Sequence, residues 1–253
     1  MIKLAKIPTN APKKVGKEAI KKITKDLVKQ LGELQHILYA QKKYSVLVVL
    51  QGMDATGKDG AARKVFAKCS HTGVRVESFK KPTEEELAHD FLWRIHQCTP
   101  EKGMVQIFNR SHYEDVVIQK VHKWINEERV SKRLQAINAF EELLQFDNDT
   151  VVIKFYMHIS QERQMEKLQE RINDPSKNWK HNESDWEETK LWDEYLKSYE
   201  NAINKSKIPW HIVPVDQRWY RDYYIAKIMV ETLTALNLKL PVLPNKELLE
   251  ENG

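Results

Sequence analysis

Five short apolar segments recur along the chain, and stretches with helical periodicity separate most of them. The segments lie at 46–50, 74–79, 104–108, 150–159 and 210–215. They are rich in β-branched and aromatic residues and are bounded by turn residues, which is typical of strands. Strands that alternate with helices form a parallel sheet with helices on both faces. The sequence therefore predicts an α/β fold with a five-stranded parallel sheet.

The polar and apolar positions between the segments predict the helices. Helical spacing of apolar residues within 17–43 places a long helix ahead of the first strand, and further helices are predicted at 129–146, 160–172 and 223–238. Three pairs of Ser or Thr with a Glu three positions later indicate capping boxes at further helix starts: Thr83 with Glu86, Ser111 with Glu114, and Ser184 with Glu187. The first of these helices is expected to continue as far as Ile95.

The turn after the first strand has the composition of a phosphate-binding loop. Gly52, Gly57 and Lys58 have the G-x4-G-K spacing. Glycines let backbone N–H groups approach an anion, and the helix that follows directs its positive N-terminus at the same point. Lys58 adds a mobile positive charge. The loop residues predicted to contact phosphate are Gly52, Ala55, Thr56, Gly57, Lys58, Asp59 and Gly60.

Two carboxylates distinguish this loop from that of an ordinary ATPase. Asp59 takes the position after the lysine, which is usually Ser or Thr with a hydroxyl that holds Mg²⁺. Asp54 lies within the loop itself. Since carboxylates beside bound phosphates suit metal or proton chemistry, we expect Asp54 to hold a metal ion or to orient the attacking phosphate.

The composition favours one domain that handles an anionic ligand. The chain has 253 residues and a formal net charge of +5, which suits a single α/β domain and leaves nucleic acid, a membrane surface and a polyanionic substrate open. No apolar run approaches the ~20 residues of a membrane span. Because the chain has only two cysteines, we expect a cytoplasmic protein, and we expect no membrane partner.

Further candidate ligands follow the second and third strands, at the edge of an open α/β sheet where ligands bind. Lys81 comes just after the second strand. After the third strand, Asn109 takes the place of the carboxylate that usually reaches Mg²⁺, and Arg110 is suited to a two-pronged contact with phosphate. Asp115 is a candidate for the missing carboxylate. Arg94 is another candidate cation, although an ion pair with Asp90, one helical turn away, is the simpler interpretation.

A basic segment lies between two predicted helices in the second half of the chain. Helix 160–172 places Arg163, Lys167 and Arg171 on one face. Basic, polar and aromatic residues then follow at 177–185. Such a segment suits a lid that closes over phosphate and excludes water, or else a solvent-exposed connection between helices.

These motifs together resemble the family-2 polyphosphate kinases. The resemblance depends first on the loop 52–60 and on the string Asn-Arg-Ser-His-Tyr-Glu-Asp at 109–115, and it covers roughly 17–240. Other matching motifs are Ser78-Phe79-Lys80, Pro82-Thr83, the segment 89–94, Arg171, Asp174-Pro175, Lys177, Trp179-Lys180, Trp192, Tyr195, Pro209-Trp210 and Val213-Pro214. The string at 109–115 is similar to that of the class III branch, which phosphorylates both AMP and ADP.

The resemblance implies a P-loop fold of the thymidylate-kinase type. It implies an N-terminal arm and helix at 1–43, a kinase domain at 44–240 with a helical lid at about 160–190, and a tail at 241–253. The implied activity is Mg²⁺-dependent, reversible transfer of a terminal phosphoryl group from inorganic polyphosphate to AMP and ADP, giving ADP and ATP. The implied assembly is a homodimer or homotetramer, with no nucleic-acid partner.

The resemblance also implies roles for individual residues. The catalytic residues would be Asp54, Lys58 and Arg110. The residues implied to bind the nucleotide or its phosphates are those of the loop together with Asn109 and Glu114. The residues implied to bind polyphosphate are Lys81, Arg94, Arg110, Arg171, Lys177 and Lys180. The residues implied to hold Mg²⁺ are Asp54, Asn109 and Asp115.

Two other functions stay open on the sequence alone. An ATP-dependent nucleoside monophosphate kinase with the same core would be active with ATP and a monophosphate but not with polyphosphate. A non-catalytic module that binds polyanions or nucleic acid would show steep salt dependence without turnover. The specialised loop and the small net charge argue against the binding module. Basic residues in at least four separate places, more than a single triphosphate needs, and the lack of a stretch typical of a second nucleotide-binding unit favour polyphosphate over ATP as the donor.

Overall fold

The computed structural model describes residues 1–242 and contains the predicted five-stranded parallel sheet. Its strands are β1 Ser45–Gln51, β2 Val74–Ser78, β3 Val105–Asn109, β4 Thr150–His158 and β5 Trp210–Pro214. Across the sheet they follow the order β2-β3-β1-β4-β5, and each neighbouring pair is parallel. The predicted α/β fold class is confirmed.

Ten α-helices accompany the sheet within the described residues. They are α1 Lys17–Gln41, α2 Lys58–Val65, α3 Glu84–Ala88, α4 Trp93–His96, α5 Glu114–Val121, α6 Glu127–Asn148, α7 Gln161–Asn173, α8 Glu183–Thr189, α9 Trp192–Lys205 and α10 Arg218–Ala235. Short 3-10 helices lie at Leu4–Lys6 and Pro175–Lys180. The helix α1 is the predicted N-terminal extension, and it packs on α10.

The central strand β1 explains why the phosphate loop lies in the middle of the molecule. All seven residues of β1 are buried, between β3 on one side and β4 on the other. Leu47 and Val49 belong to one apolar cluster, while Val48 and Leu50 belong to a second cluster. Because alternate residues of a strand point to opposite faces, both faces of β1 are covered. The loop that follows β1 therefore starts from a rigid support.

The helix predicted from Thr83 to Ile95 is wrong in its extent. Thr83 and Glu86 form the predicted capping box, but α3 ends at Ala88 and α4 begins at Trp93. Between them, Asp90 Oδ1 accepts a 2.9 Å hydrogen bond from the backbone N–H of Leu92. Asp side chains that bond to nearby backbone groups compete with the helix in this way.

The other two predicted capping boxes do not form. Ser111 lies in an irregular turn, and α5 begins at Glu114 after Tyr113 with no side-chain cap. At the third position, α8 is capped instead by Asn182, whose side chain accepts from the backbone N–H of Ser184. The spacing of Ser and Glu therefore located the starts of α5 and α8 only to within two or three residues.

The last helix begins earlier than predicted. The prediction was 223–238, whereas α10 covers Arg218–Ala235. The first turn of α10 includes Arg218 and Arg221, which belong to a basic cluster described below. The spacing of apolar residues therefore did not mark this turn as helical. Of the predicted tail at 241–253, only 241–242 lie within the described residues.

The N-terminal arm is fastened across one end of the sheet. Leu4 is completely buried, and its carbonyl accepts a 3.1 Å hydrogen bond from His158 at the end of β4. Further along, Thr9 Oγ1 donates to Asp216 Oδ2 across 2.6 Å. The amide of Ile2 donates to Asn204 of α9. The arm therefore forms part of the wall at the carboxyl ends of β4 and β5.

Candidate active site

The phosphate loop has the backbone geometry that its glycines predict. Gly57 has φ +86° and precedes α2, so the first free N–H groups of that helix face the loop. Gly52 has φ +150°, and a Cβ there would lie 2.8 Å from the carbonyl oxygen of Met157. Both conformations favour glycine. The loop can therefore follow a bound phosphate closely, as the spacing predicts.

Lys58 lies across the loop that precedes it. It is the first residue of α2, is 9% exposed, and its Nζ donates to the carbonyl oxygens of Gly52 at 2.8 Å and Met53 at 3.1 Å. Burial lowers the pKa of Lys58 below its ordinary value, an effect that Asp54 partly offsets. The ammonium is held at the point that the loop encloses.

Asp54 and Arg110 form an ion pair at the mouth of the loop. Arg110 Nη2 donates to Asp54 Oδ1 across 2.7 Å. Burial alone would raise the pKa of Asp54, but Lys58 and Arg110 outweigh it and hold that pKa below its ordinary value. Arg110 also has a left-handed backbone, with φ +63°. The structure thus brings together the three predicted catalytic residues.

Glu114 lies beside this group and is fixed from β1. Gln51 Nε2 donates to Glu114 Oε1, and Gln51 Oε1 accepts a 3.1 Å hydrogen bond from Ser111. Burial raises the pKa of Glu114, although Arg110 and Lys58 oppose the shift. Gln51, Ser111 and Glu114 therefore join the ends of β1 and β3 into one polar unit.

The predicted metal ligands do not all lie together. Asn109 Nδ2 donates to Asp59 at the start of α2, beside the loop. Asp115 instead pairs with Arg94 across 3.2 Å, and both side chains are 8% exposed. The predicted pairing of Arg94 with Asp90 is wrong, because Arg94 bonds to Asp115, to Glu86 and to the carbonyl of Lys80.

The loop could hold a hard divalent ion only together with oxygens of the substrate phosphates. Within residues 1–242, no group of three His, Cys, Asp or Glu side chains is placed to hold a metal ion. Mg²⁺ is commonly bound through one or two carboxylates together with substrate phosphates. Asp54 at the loop mouth can supply one such carboxylate.

A cleft opens between the phosphate loop and the helices α5, α8 and α9. Its volume is about 330 Å³. Asp54 and Arg110 line its floor, and aromatic side chains such as Trp192 and Tyr195 line its wall. A phosphorylated ligand with an apolar ring would find both charged groups and aromatic surface in this cleft.

The predicted lid contains three of the expected cations and a new ion pair. Arg171 of α7 bonds to Asp185 of α8 and to the carbonyl of Lys180. Lys177 pairs with Asp174 at 2.7 Å, and Lys180 Nζ lies 4.8 Å from the centre of the Trp179 ring. The segment is therefore a connected unit between α7 and α8. Lys81, the remaining predicted cation, is exposed at the far edge of the sheet, after β2.

Sequence reasoning missed a second basic group beside the loop. Lys167 is 7% exposed, and its Nζ has no hydrogen-bond partner within the described residues. Burial, together with Arg163, Arg221 and Arg218, lowers the pKa of Lys167 to about 8. Arg221 donates to the carbonyl of Gly57 across 3.1 Å. The helical spacing of Arg163 and Lys167 indicated half of this cluster. No sequence pattern indicated that Arg218 and Arg221 of α10 would join it.

Near this cluster, a shallow groove continues the positive surface. Its volume is about 660 Å³, and it runs from Arg218 past Arg163 and Lys177 to Lys17 and Lys21 of α1. Acidic side chains of Glu170 and Asp216 also line it, so cations outnumber acids. A long anion that leaves the loop would meet positive charge along this route.

The parallel sheet with its helices and the phosphate loop after the central strand define a P-loop kinase fold. The family model for polyphosphate kinase 2 (PPK2) matches residues 14–241. The chain belongs to the polyphosphate kinase 2 family, as its motifs predict. Kinases of this kind generally use a divalent metal ion.

Relatives of known name and structure share nearly the whole chain. An AMP/ADP-polyphosphate phosphotransferase of Meiothermus ruber is 45% identical over 89% of this chain and 85% of its own length. An ADP-polyphosphate phosphotransferase of Rhodopseudomonas palustris is 35% identical over 95% and 88%. The crystal structure of polyphosphate kinase 2 from Arthrobacter aurescens TC1 is 35% identical and superposes with a TM-score of 0.95, covering 99% of this chain and 92% of that one.

Within residues 1–242 no helix combines the length and the apolar character needed to cross a membrane.

Proposed function

We propose that this protein transfers the terminal phosphoryl group of inorganic polyphosphate to AMP and to ADP, giving ADP and ATP, and that the transfer is reversible. The observation that carries the proposal is the contact of Asp54 with Arg110 at the mouth of a phosphate loop that already holds Lys58. Family membership and the Meiothermus ruber relative, whose name includes both AMP and ADP, support the same substrates.

Lys58 and Arg110 would bind the phosphoryl group during transfer. Phosphoryl transfer needs little covalent chemistry from the protein, so positioning and charge stabilisation supply most of the rate. Lys58 reaches the interior of the loop, while Arg110 donates one N–H to Asp54 and keeps four others. These donors can contact the oxygens of the transferred group from the side opposite the loop.

Asp54 would serve the acceptor side of the reaction. Its lowered pKa keeps the carboxylate ionised at neutral pH. The acceptor phosphate is itself anionic at that pH, so no strong general base is needed. Asp54, with Asn109, would hold Mg²⁺, which when bound supplies positive charge next to the phosphate oxygens. Asp115 is left out of this role because Arg94 already neutralises it.

Polyphosphate would extend from the loop over the basic cluster of Lys167, Arg218 and Arg221. A buried ammonium without a protein partner suits an anion, because the anion would repay the cost of burying its charge. Lys177 would extend the path along the groove, and Arg171 and Lys180 would close over it from the lid. Arg94 is buried against Asp115 and is left out, and Lys81 stays a prediction for a more distant contact.

The decisive assay supplies polyphosphate, Mg²⁺ and either AMP or ADP, and measures the ATP formed. ATP from both acceptors is the expected result. ATP from ADP alone would retain the donor but contradict the AMP step. Activity with ATP and a monophosphate, without activity on polyphosphate, would favour the nucleoside monophosphate kinase. Salt-sensitive binding without turnover would favour a polyanion-binding module.

We also propose that the protein acts in the cytoplasm as a homodimer or homotetramer. Both cysteines within the described residues, Cys69 and Cys98, are free thiols, which suits a reducing compartment. Light scattering coupled to gel filtration would give the mass of the assembly, for comparison with the 29.8 kDa of one chain. A monomer at every protein concentration would contradict the proposed assembly.

A further inference from the structure

Directly beneath the candidate active site, a charged network is buried in the sheet. Lys154 at the centre of β4 and Glu141 of α6 are both 0% exposed, and Lys154 Nζ donates to Glu141 Oε2 across 2.6 Å. β4 lies next to β1 in the sheet, and a lysine in a strand covered on both faces is unusual. Lys154 therefore needs an explanation beyond the packing of its strand.

Both charges of the pair bond to the segment that carries Arg110. Lys154 Nζ donates to the hydroxyl of Tyr113 at 2.8 Å, and that hydroxyl donates to Glu141 Oε1 at 3.0 Å. His112 Nε2 lies 3.3 Å from Glu141 Oε1. Tyr113 and His112 are 1% and 0% exposed. One ion pair thus fixes two consecutive side chains of the active-site segment.

The segment itself has a conformation that its surroundings must maintain. Arg110 has φ +63°, which is unfavourable for a residue other than glycine and persists only where neighbouring contacts hold it. Arg110 lies two residues before His112, and Glu114 follows Tyr113 directly. His112 and Tyr113 therefore hold the backbone of this segment in place. That backbone orients Arg110 toward Asp54 and Glu114 toward Gln51.

Stability alone does not account for these charges. A buried ion pair has a large desolvation cost, so an apolar pair of similar volume is often equally stable or more stable. Burial would raise the pKa of Glu141, but hydrogen bonds from His112 and Lys154 outweigh it and hold the pKa below its ordinary value. Glu141 is therefore ionised at neutral pH and bonds to three partners in a fixed geometry.

We propose that Glu141 and Lys154 are positioning residues, whose ion pair holds His112 and Tyr113 and thereby sets the orientation of Arg110 and Glu114 for phosphoryl transfer. Neither charge reaches the cleft, since both are completely buried. Their effect on the reaction is exerted through the backbone of the segment 110–114. The proposal rests on the proposed function for its kinetic part, whereas its structural part can be measured without any substrate.

The test replaces the pair by apolar residues in the double variant Glu141→Leu/Lys154→Met. We expect the urea midpoint to match or exceed that of the wild type, amide exchange across 110–114 to become at least tenfold faster, and kcat to fall at least tenfold. KM for polyphosphate should stay within threefold, because Arg110 would act mainly on the transferring group. The matched control is Ser45→Ala/Thr150→Val, which removes a buried polar contact of 2.8 Å at the opposite end of β1 and β4.

The outcomes separate the inference from the function on which it rests. A folded double variant with wild-type exchange at 110–114 and kcat within twofold of the wild type would overturn the inference. If the wild type does not use polyphosphate, the proposed function fails, and the exchange measurement still decides the inference. If the double variant does not fold, Tyr113→Phe decides in its place, because it keeps both charges and the ring. The same loss of kcat and faster exchange are then expected, and unchanged values would refute the positioning role.

Discussion

The guanidinium of Arg110 donates a 2.7 Å hydrogen bond to the carboxylate of Asp54, although 56 positions separate the two residues in the chain. The contact follows from the sheet, since β1 and β3 are neighbours and Leu50 pairs with Asn109. Asp54 and Arg110 each follow the carboxyl end of one of these strands. A phosphate in the loop would meet a fixed cation whose direction is set by a carboxylate of the same loop.

Replacement of Arg110 by lysine tests whether the shape of this cation matters. Lysine keeps the charge but loses the planar fork that can contact Asp54 and a phosphate together. We expect Arg110→Lys to lower kcat by roughly 10²-fold. Arg75→Lys is a matched control, because Arg75 forms an exposed ion pair with Glu101 at 3.1 Å. Steady-state kinetics with polyphosphate and ADP gives both values, and a loss below threefold in Arg110→Lys would contradict the role.

Removal of the loop lysine tests the phosphate loop itself. We expect Lys58→Ala to lower the rate by ~10²-fold or more, because a preorganised cation at the transferring group is lost. The fold should be retained, as judged by circular dichroism. Lys64→Ala, on an exposed position of the same helix α2, is the control and should have wild-type activity. Near-normal turnover in Lys58→Ala would exclude Lys58 from the reaction.

Lys167 predicts a pH-dependent stability with a defined sign. Its pKa is lowered to about 8, against about 10.4 in an unfolded chain. Between these values the unfolded chain binds more protons, so the contribution of Lys167 to the free energy of unfolding rises with pH. Below pH 8 the buried charge destabilises the folded state by on the order of 3 kcal/mol. Lys167→Met is therefore expected to be more stable than the wild type at about pH 7, with a smaller difference near pH 10.

Urea unfolding in the presence of tripolyphosphate tests whether the anion binds next to Lys167. A polyphosphate that binds next to Lys167 should stabilise the wild type more than Lys167→Met, because ligands stabilise the state that binds them. Lys29→Met removes an exposed lysine of α1 and is the control, with no change in pH dependence. Equal stabilisation of the wild type and Lys167→Met by tripolyphosphate would show that the anion binds elsewhere.

Trp179 offers a direct measurement of lid closure. Its side chain is 78% exposed on the 3-10 helix between α7 and α8. If the lid closes over the substrates, the ring should become less accessible to water, so the fluorescence of the wild type should shift to shorter wavelength when ADP and tripolyphosphate are added together. Trp179→Phe should lose that part of the shift. The same shift in both proteins would assign the signal to another tryptophan and contradict closure at this segment.

Sequence patterns predicted the framework of the site because local chemistry determines it. A strand covered on both faces is mostly apolar, and a turn that encloses phosphate closely favours glycine, so β1 and Gly57 could be identified without a structure. The order of the strands then places Asp54 near Arg110. The two residues were predicted as members of one catalytic site, and the structure places them in contact.

Residues whose partners are distant in the chain were not predictable in the same way. Arg221 contacts Gly57 over a separation of 164 positions, and nothing near either residue indicates that contact. Arg94 has an acidic neighbour four positions before it, yet it pairs with Asp115, because the predicted helix is interrupted between Ala88 and Trp93. Lys154 of β4 pairs with Glu141 of α6, and the periodicity of neither element indicates that the two side chains meet.

The contacts that fix the N-terminal arm have a consequence for the order in which parts of the fold can form. Ile2 bonds to Asn204 over a separation of 202 positions, and Thr9 bonds to Asp216 over 207. The arm therefore finds these partners only after the long intervening segments have been synthesised. Contacts of such long range are slow to form, because a large loop must close first. The wall at the carboxyl ends of β4 and β5 is thus completed late in folding, from parts of the chain that are far apart in sequence.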